Sequence, residues 1–558
     1  MPSLLPLLHD ADAGVREETV FALGQIGHRS ARAALDSLLG RADVETALLA
    51  VEALGKIGDK AATPRIVSLL DHAAPRVRAE AAMSLWRLAD STALDPLLQH
   101  LDDRDAEVRW RALYALEKIV APDRVVLAVA LHLDDPEWLS RAYAVRTLGR
   151  QKSPRATAYV LQKVTDPEVG VAVNAIRALQ GIADSTCRTC AGVLTAALRT
   201  GHPYVRLSAA TALQDRFAWV AADSLARVNA NGALVDAVTR DGVAAVRGAA
   251  ARALLARRGA AALDDVRPVL ADSSTYARVA AIQALALLPA GVAVPLLEAR
   301  LAARTPLFER MTAAEALGTL HARGSAKRLR AALADTSTLW VAAAASALAE
   351  MGDTASVPLL ARAWVARAAD ADADARLSIR DALRSLAGAR YADSLERRHP
   401  AGAGRKPVYD DAFFAPPRAK GALLHTTAGD IEWAFASAEA PQTVKNFVRL
   451  AERGYFDGLR VHRVVPNFVI QDGDPTGTGS GGPGHTIRCE YNRLRYGPGM
   501  VGMALSGKDT GGSQWFITHS PQPHLNGRYT IFARVTRGMD VVHRIVQGDR
   551  VTKVEILR

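Results

Sequence analysis

The chain has 558 residues, a formal net charge of +11, and 49% hydrophobic residues of which few are aromatic. That length implies several domains or one long repeat array, and the alanine- and leucine-rich apolar content argues for helices over a large all-β protein. No apolar run reaches the roughly 18 residues of a membrane-spanning helix. Met1 to Leu8 lacks the basic region of a secretory signal; the expected compartment is cytoplasmic, or periplasmic if the natural product begins upstream of Met1.

From the N-terminus, leucines recur at the ends of alanine-rich segments: Leu23, Leu54, Leu85, Leu116, Leu148, Leu179, Leu213, Leu254, Leu285, Leu317, Leu348 and Leu383. Most steps are 31 or 32 residues, which is the signature of a stacked repeat. Each unit reads as two helices, a short Leu-rich one and a second with apolar residues at i, i+3, i+4 and i+7. Such a unit cannot bury its apolar face alone, so units stack around a continuous core, and small alanines let neighbouring helices approach closely. The pattern resembles the short HEAT-like repeats and implies an all-α solenoid of about twelve units over residues 1–395.

A Val-Arg pair precedes several of these leucines by eight residues: Val15-Arg16, Val77-Arg78, Val108-Arg109, Val205-Arg206 and Val246-Arg247. The arginines could form a row that reads an acidic ligand such as nucleic acid. The preferred reading is that each pairs with an acidic residue of the adjacent turn and fixes repeat stacking. No Lys/Arg run marks an electrostatic footprint, so nucleic acid is not the expected partner. Two longer steps mark irregularities, one around Trp219 to Ala233 and one holding Asp370, Asp372 and Asp374. The latter lacks the glycine and terminal Glu of a calcium loop and reads as a solvated loop. The array opens at Leu4 to Leu8 without a polar capping repeat, and solenoids need capped ends; residues upstream of Met1 are therefore expected.

Three cysteines are present, Cys187, Cys190 and Cys489. Cys187 and Cys190 form a CxxC with no further zinc ligand nearby and no βαβ setting. They read as two thiols or a local disulfide in a turn between helices.

Residues 396–417 are rich in Pro, Gly and Arg and read as a linker. From Gly421 the hydrophobic period changes. Two strands around Ala428-Gly429-Asp430 read as a hairpin, and Pro441 opens a helix with Val444, Phe447, Val448 and Ala451 on one face. Strands are expected at 460–465, 468–472, 500–505, 514–518, 530–534 and 551–557. Many strands with two helices suggest a closed antiparallel barrel over residues 418–558.

Four stretches in this part carry chemistry. Val461 to Gln471 reads as strand, Pro-Asn turn, strand. Asp472 to Gly484 is a glycine-rich loop without the Lys-Ser/Thr ending of a P-loop. Gly512 to Thr518 and Leu525 to Ala533 follow, and no nucleophile elbow accompanies them. In this order the four stretches resemble the cyclophilin family of peptidyl-prolyl cis/trans isomerases, over the C-terminal quarter of the chain. The resemblance implies an eight-stranded antiparallel barrel capped by two helices. It implies Arg463 as the catalytic arginine and Gln471 as its orienting partner and a substrate contact. It also implies a proline pocket of Phe468, Val469, Phe516 and Leu525, with Ala504, Leu505 and Gln514 beside a neighbouring groove. His524 and Tyr529 complete the substrate-binding set; His524 stands where cyclosporin-sensitive members have tryptophan, which implies weak cyclosporin binding.

The amide chemistry requires no nucleophile, metal or cofactor. The X-Pro bond rotates over roughly 18–20 kcal/mol, and catalysis needs only interactions that are stronger in the twisted state than in the planar one. The expected function is isomerisation of X-Pro bonds in proline-containing protein clients, with a protein partner on the solenoid surface. The rivals are a non-catalytic proline-peptide scaffold and a nucleic-acid-binding solenoid with an accessory isomerase. A chromophore-lyase role, suggested by the HEAT-like repeats, leaves the barrel unexplained.

Overall fold

Local capping and a repeated arginine decide how the first part of the chain stacks. The computed structural model describes residues 3–39, 43–215, 222–368, 374–400 and 417–558. It divides into two units, Met1–Arg227 and Val228–Arg558. Outside the described residues lie Trp219, Asp370, Asp372, the side chain of Asp374, and most of the 396–417 segment.

In the first unit, helices such as Val44–Ile57, Pro75–Leu88, Ala106–Leu116, Trp138–Arg150 and Val169–Ile182 are each the second helix of a repeat. Their small residues set the spacing: a Cβ on Gly55 would stand 2.9 Å from Ser84 Cβ, and one on Gly149 would stand 2.9 Å from Ala178 Cβ. Of the recurring arginines, Arg16, Arg78, Arg109 and Arg247 pair with a carboxylate, as expected from the sequence. Arg78 donates to both carboxylate oxygens of Asp103, at 2.7 and 2.9 Å, and to the His72 carbonyl of its own turn at 2.9 Å. Arg109 does the same to Asp135, at 2.7 and 2.9 Å, and Arg141 to Asp166, at 3.0 and 3.1 Å. Each aspartate also accepts a backbone N–H two residues on, as Asp103 does from Asp105. One planar fork thus joins two turns of successive repeats. Cys187 and Cys190 are joined as a disulfide that ties the preceding turn to the first residue of the helix Cys190–Ala197, one of the two readings above.

The second unit opens with more of the same repeats. Arg247 pairs with Asp272 at 2.6 and 2.8 Å, and Arg278 with Glu309 at 2.8 Å. The last described helix before the barrel is Ala389–Arg398. No helix among the described residues is long and apolar enough to cross a membrane.

Eight strands follow among the described residues: β1 (Gly421–Thr426), β2 (Gly429–Phe435), β3 (Arg463–Val465), β4 (Val469–Asp472), β5 (Met500–Met503), β6 (Trp515–Thr518), β7 (Ile531–Arg537) and β8 (Val551–Leu557). All pairings are antiparallel, in the order β3-β4-β6-β5-β7-β2-β1-β8. The sheet curls, and among the described residues no strand ladder joins β3 to β8. Instead the segment just before β3 meets the segment just before β8, with a bridge at Arg460 and Arg550 and Val461 N–H donating to the Asp549 carbonyl at 2.8 Å. The helix Pro441–Ala451 begins at the expected proline, and Glu490 accepts the N–H groups of Gln442 and Thr443 at 3.0 and 2.8 Å. A carboxylate there suits the positive end of the helix. The second helix, Met539–Arg544, follows β7.

Two apolar clusters fill this part. The larger is the barrel interior around Trp433, Phe447, Trp515 and Phe532. The smaller is separate from it: Val469, Tyr496, Phe516, Leu525 and Ile531, with Phe468, Ala504 and Tyr529 packed alongside.

Candidate active site

The Pro-Asn turn builds the site's entrance. Asn467 takes φ +56, the left-handed conformation that asparagine tolerates, and Phe468 N–H donates back to the Val465 carbonyl at 2.9 Å. The turn makes β3 and β4 a hairpin in which Arg463 lies opposite Gln471. Gln471 in turn lies opposite Phe516 of β6. Cross-strand register therefore gathers three residues that are distant in sequence.

The polar side of the site is a directed chain of donors. Arg463 donates to Gln471 Oε1 at 3.0 Å, and Gln471 Nε2 donates to Gln514 Oε1 at 2.9 Å. Gln514 Nε2 donates to the carbonyls of Gly479 and Gly481, both at 2.9 Å. The side chain of Arg463 is exposed and passes over the Phe468 ring, 5.8 Å from its centroid. Partial desolvation of the guanidinium lowers its pKa from the ordinary arginine value, against the pull of Tyr529; arginine remains a cation at working pH.

The apolar side is the smaller cluster. Val469, Phe516 and Leu525 are buried, and Phe468 is half-buried beside them. Phe516 stacks on Tyr496 at 5.5 Å and meets Tyr529 edge-on at 5.8 Å. His524 stacks on Phe468 at 5.7 Å. Ala504 packs at the cluster, and its N–H donates to the Gln514 carbonyl at 2.9 Å. Leu505 instead packs against the barrel interior. Of the residues expected from the sequence, all but Leu505 thus belong to the donor chain, to this cluster, or to a ring stacked on it.

Three participants were missed from the sequence. Tyr496 and Ile531 sit in the apolar cluster, yet nothing in their local sequence separates them from core residues. Gly502 did carry a signal, a glycine inside a strand. A Cβ there would collide with Tyr496 Oη and the Phe516 ring, so the close approach of these rings depends on the missing side chain.

The glycine-rich loop is latched from below. Asp474 accepts from Thr476 N–H at 2.7 Å and Gly479 N–H at 2.6 Å. Burial alone would raise its pKa, but these donors hold it below the usual carboxylate range. Neighbouring Asp472 accepts from Gly473 N–H at 2.6 Å, and its second carboxylate oxygen is buried without a partner among the described residues. Burial pushes the Asp472 carboxyl up to about 7; the Gly473 N–H opposes and Asp474 adds. His462, buried nearby, has its pKa lowered by desolvation.

A curled eight-stranded antiparallel sheet with two helices, an exposed arginine bonded to Gln471 and through it to Gln514, and an adjacent aromatic pocket define a class of protein that acts on X-Pro peptides. Residues 422–558 match the family model described as cyclophilin type peptidyl-prolyl cis-trans isomerase/CLD. Residues 1–75, 63–131 and 125–214 match HEAT repeats, and 341–363 match the PBS lyase HEAT-like repeat. "Peptidyl-prolyl cis-trans isomerase B" of Bacillus subtilis is 48% identical over 138 residues, which span 96% of that protein but 24% of this chain. "Peptidyl-prolyl cis-trans isomerase" of Synechococcus elongatus is 46% identical over 138 residues, 95% of its length and again 24% of this chain. A Helicobacter pylori relative of the same name is 44% identical over 137 residues, spanning 84% of its length and 24% of this chain. The chain belongs to the cyclophilin-type peptidyl-prolyl cis-trans isomerases, with HEAT repeats preceding the family domain.

Proposed function

We propose that residues 418–558 accelerate X-Pro rotation in protein clients, that 396–417 is a linker, and that the HEAT-like array over 1–395 docks the client or a partner. The observation that carries this reading is the donor chain Arg463–Gln471–Gln514 running beside the Phe468, Val469, Phe516 and Leu525 pocket. The proline ring enters the pocket, where burial of its apolar surface fixes one side of the peptide bond. Arg463 then donates toward the proline nitrogen and substrate carbonyl. As the bond twists, amide resonance is lost and the nitrogen becomes a better acceptor. The arginine bond therefore strengthens in the twisted state, which is the condition for catalysis. Gln471 restricts the guanidinium to that geometry and contacts the substrate backbone. Gln514, Ala504 and the backbone of Leu505 border the groove for the preceding residues, and His524 and Tyr529 flank the proline. The mechanism uses no cofactor.

The solenoid's contribution is concentration. A client held on the repeats meets the site at an effective concentration set by the tether. The arginines of its ladder are engaged by carboxylates and by the carbonyls of their own turns, which leaves little of that row to read phosphate. Prolyl isomerisation of a short X-Pro peptide by the full chain, compared with Arg463→Ala, tests the catalytic reading. No turnover by the unaltered chain, or full turnover by Arg463→Ala, would sink it.

A further inference from the structure

The glycine-rich loop whose carbonyls hold Gln514 is itself touched by a repeat helix. Tyr276 is the second residue of the helix Thr275–Ala284. It is 6% exposed, and its hydroxyl donates to the Gly477 carbonyl at 3.3 Å. The fit is close on two sides. A Cβ on Gly477 would stand 3.1 Å from the Tyr276 hydroxyl, and one on Gly548 would stand 3.4 Å from its ring. Phe308 meets the ring edge-on at 6.2 Å. Burial, with Asp472 nearby and Arg460 opposing, pushes the phenol up to about 12, so the hydroxyl keeps its proton near neutrality.

Tyr276 stands on a stiff base. Two residues on, Arg278 is tied to Glu309 at 2.8 Å and to the Ser273 carbonyl at 3.1 Å. Beyond Gly477 the loop is short and internally bonded: Asp474 spans from Thr476 to Gly479, and Gly479 and Gly481 present their carbonyls to Gln514. A continuous hydrogen-bonded path therefore runs from a repeat helix through the loop to Gln514, Gln471 and Arg463.

We propose that Tyr276 is a positioning residue through which the repeat helix sets the Gly-rich loop, and through it the orientation of Arg463. This rests on the isomerase reading above for its catalytic consequence, though not for the path itself. A partner that shifts the Thr275–Ala284 repeat would move the Gly477 carbonyl and loosen the two glutamines, so occupancy of the repeats would be read at the site.

The test uses the full chain with Tyr276→Phe, which keeps the ring and its burial, and Tyr276→Ala as the larger perturbation. For Tyr276→Phe, kcat on a short X-Pro peptide should fall about three- to ten-fold, the range one hydrogen bond supports. KM should hold, because the pocket is untouched. Gln514→Ala already cuts the path, so adding Tyr276→Phe to it should cost nothing more; such non-additivity separates coupling from general destabilisation. Hydrogen exchange of peptides covering 473–484 and 463–471 should quicken in both Tyr276 variants. Unchanged kcat in both variants, an equal loss in the Gln514→Ala background, or quickening that stops short of 463–471 would overturn the proposal. If the unaltered chain shows no turnover, the isomerase reading falls alone, and exchange at 463–471 still decides the path.

Discussion

The repeats and the barrel solve the same problem, burial of apolar surface, in opposite ways. In the repeats each contact is local and repeated. The fork from Arg78 to Asp103 recurs at Arg109 and Asp135, at Arg141 and Asp166, and at Arg247 and Asp272. In the barrel nothing recurs. Arg463 depends on Gln471, Gln514 and the loop carbonyls of Gly479 and Gly481, which come from different segments of the domain. Redundancy makes a surface that tolerates variation, whereas single-copy geometry makes a site.

A break in the ladder should separate the two regions most sharply. Arg78 and Asp103 are both buried, with side chains 7% and 8% exposed. Arg78→Ala strands that carboxylate and should cost about 3–5 kcal/mol in the surrounding repeats. Hydrogen exchange should show the loss in Pro75–Leu88 and Ala106–Leu116, while turnover of a short peptide stays unchanged. Lost turnover would mean that the regions are not separable in this way.

Asp472 gives the next largest effect. Its carboxyl is raised from 3.8 to about 7, so the folded barrel holds the proton more tightly than the unfolded chain. That stabilisation is fully present below about pH 3.8 and is lost as pH rises through about 7. Each tenfold gain in proton affinity is worth roughly 1.4 kcal/mol, which puts the effect at about a few kcal/mol. Barrel stability, read by hydrogen exchange of β4 and β6, should fall between about pH 4 and 7 and level off above that, and Asp472→Asn should flatten that slope. A slope unchanged by the substitution would reassign it to other groups.

Arg463→Ala should lower kcat/KM by about 100-fold, the loss typical of one transition-state donor, with the fold intact by circular dichroism. Gly502→Ala should be milder: overpacking against Phe516 and Tyr496 costs about 1–3 kcal/mol and should appear mainly as a raised KM, because the pocket is displaced. Tyr276→Phe carries the smallest expected effect and is the one that bears on both regions at once.

Much of this organisation was legible in the residues. The leucine spacing located the repeats because stacked units share one period. The Val-Arg pairs implied cross-repeat ion pairs because an arginine on a helix beside an acidic turn has few other partners. Pro441 marked its helix by its fixed φ and missing N–H. The helix Met539–Arg544 was expected in number but not in place, since six residues are too few to show a period. The long step near Leu213 includes the helix Ser224–Arg240, an element whose length the spacing implied but did not assign.

By itself the sequence determined the repeat array, the change to strands at Gly421, and the motif residues Arg463, Phe468, Gln471 and Phe516, because period and residue type are local properties. Only the tertiary structure decided that Tyr496 and Ile531 belong to the pocket, that Leu505 turns toward the barrel interior, and that Tyr276 reaches a loop carbonyl 201 positions away. Those are contacts between segments whose meeting depends on strand register and on the stacking angle of helices, and no local pattern encodes either.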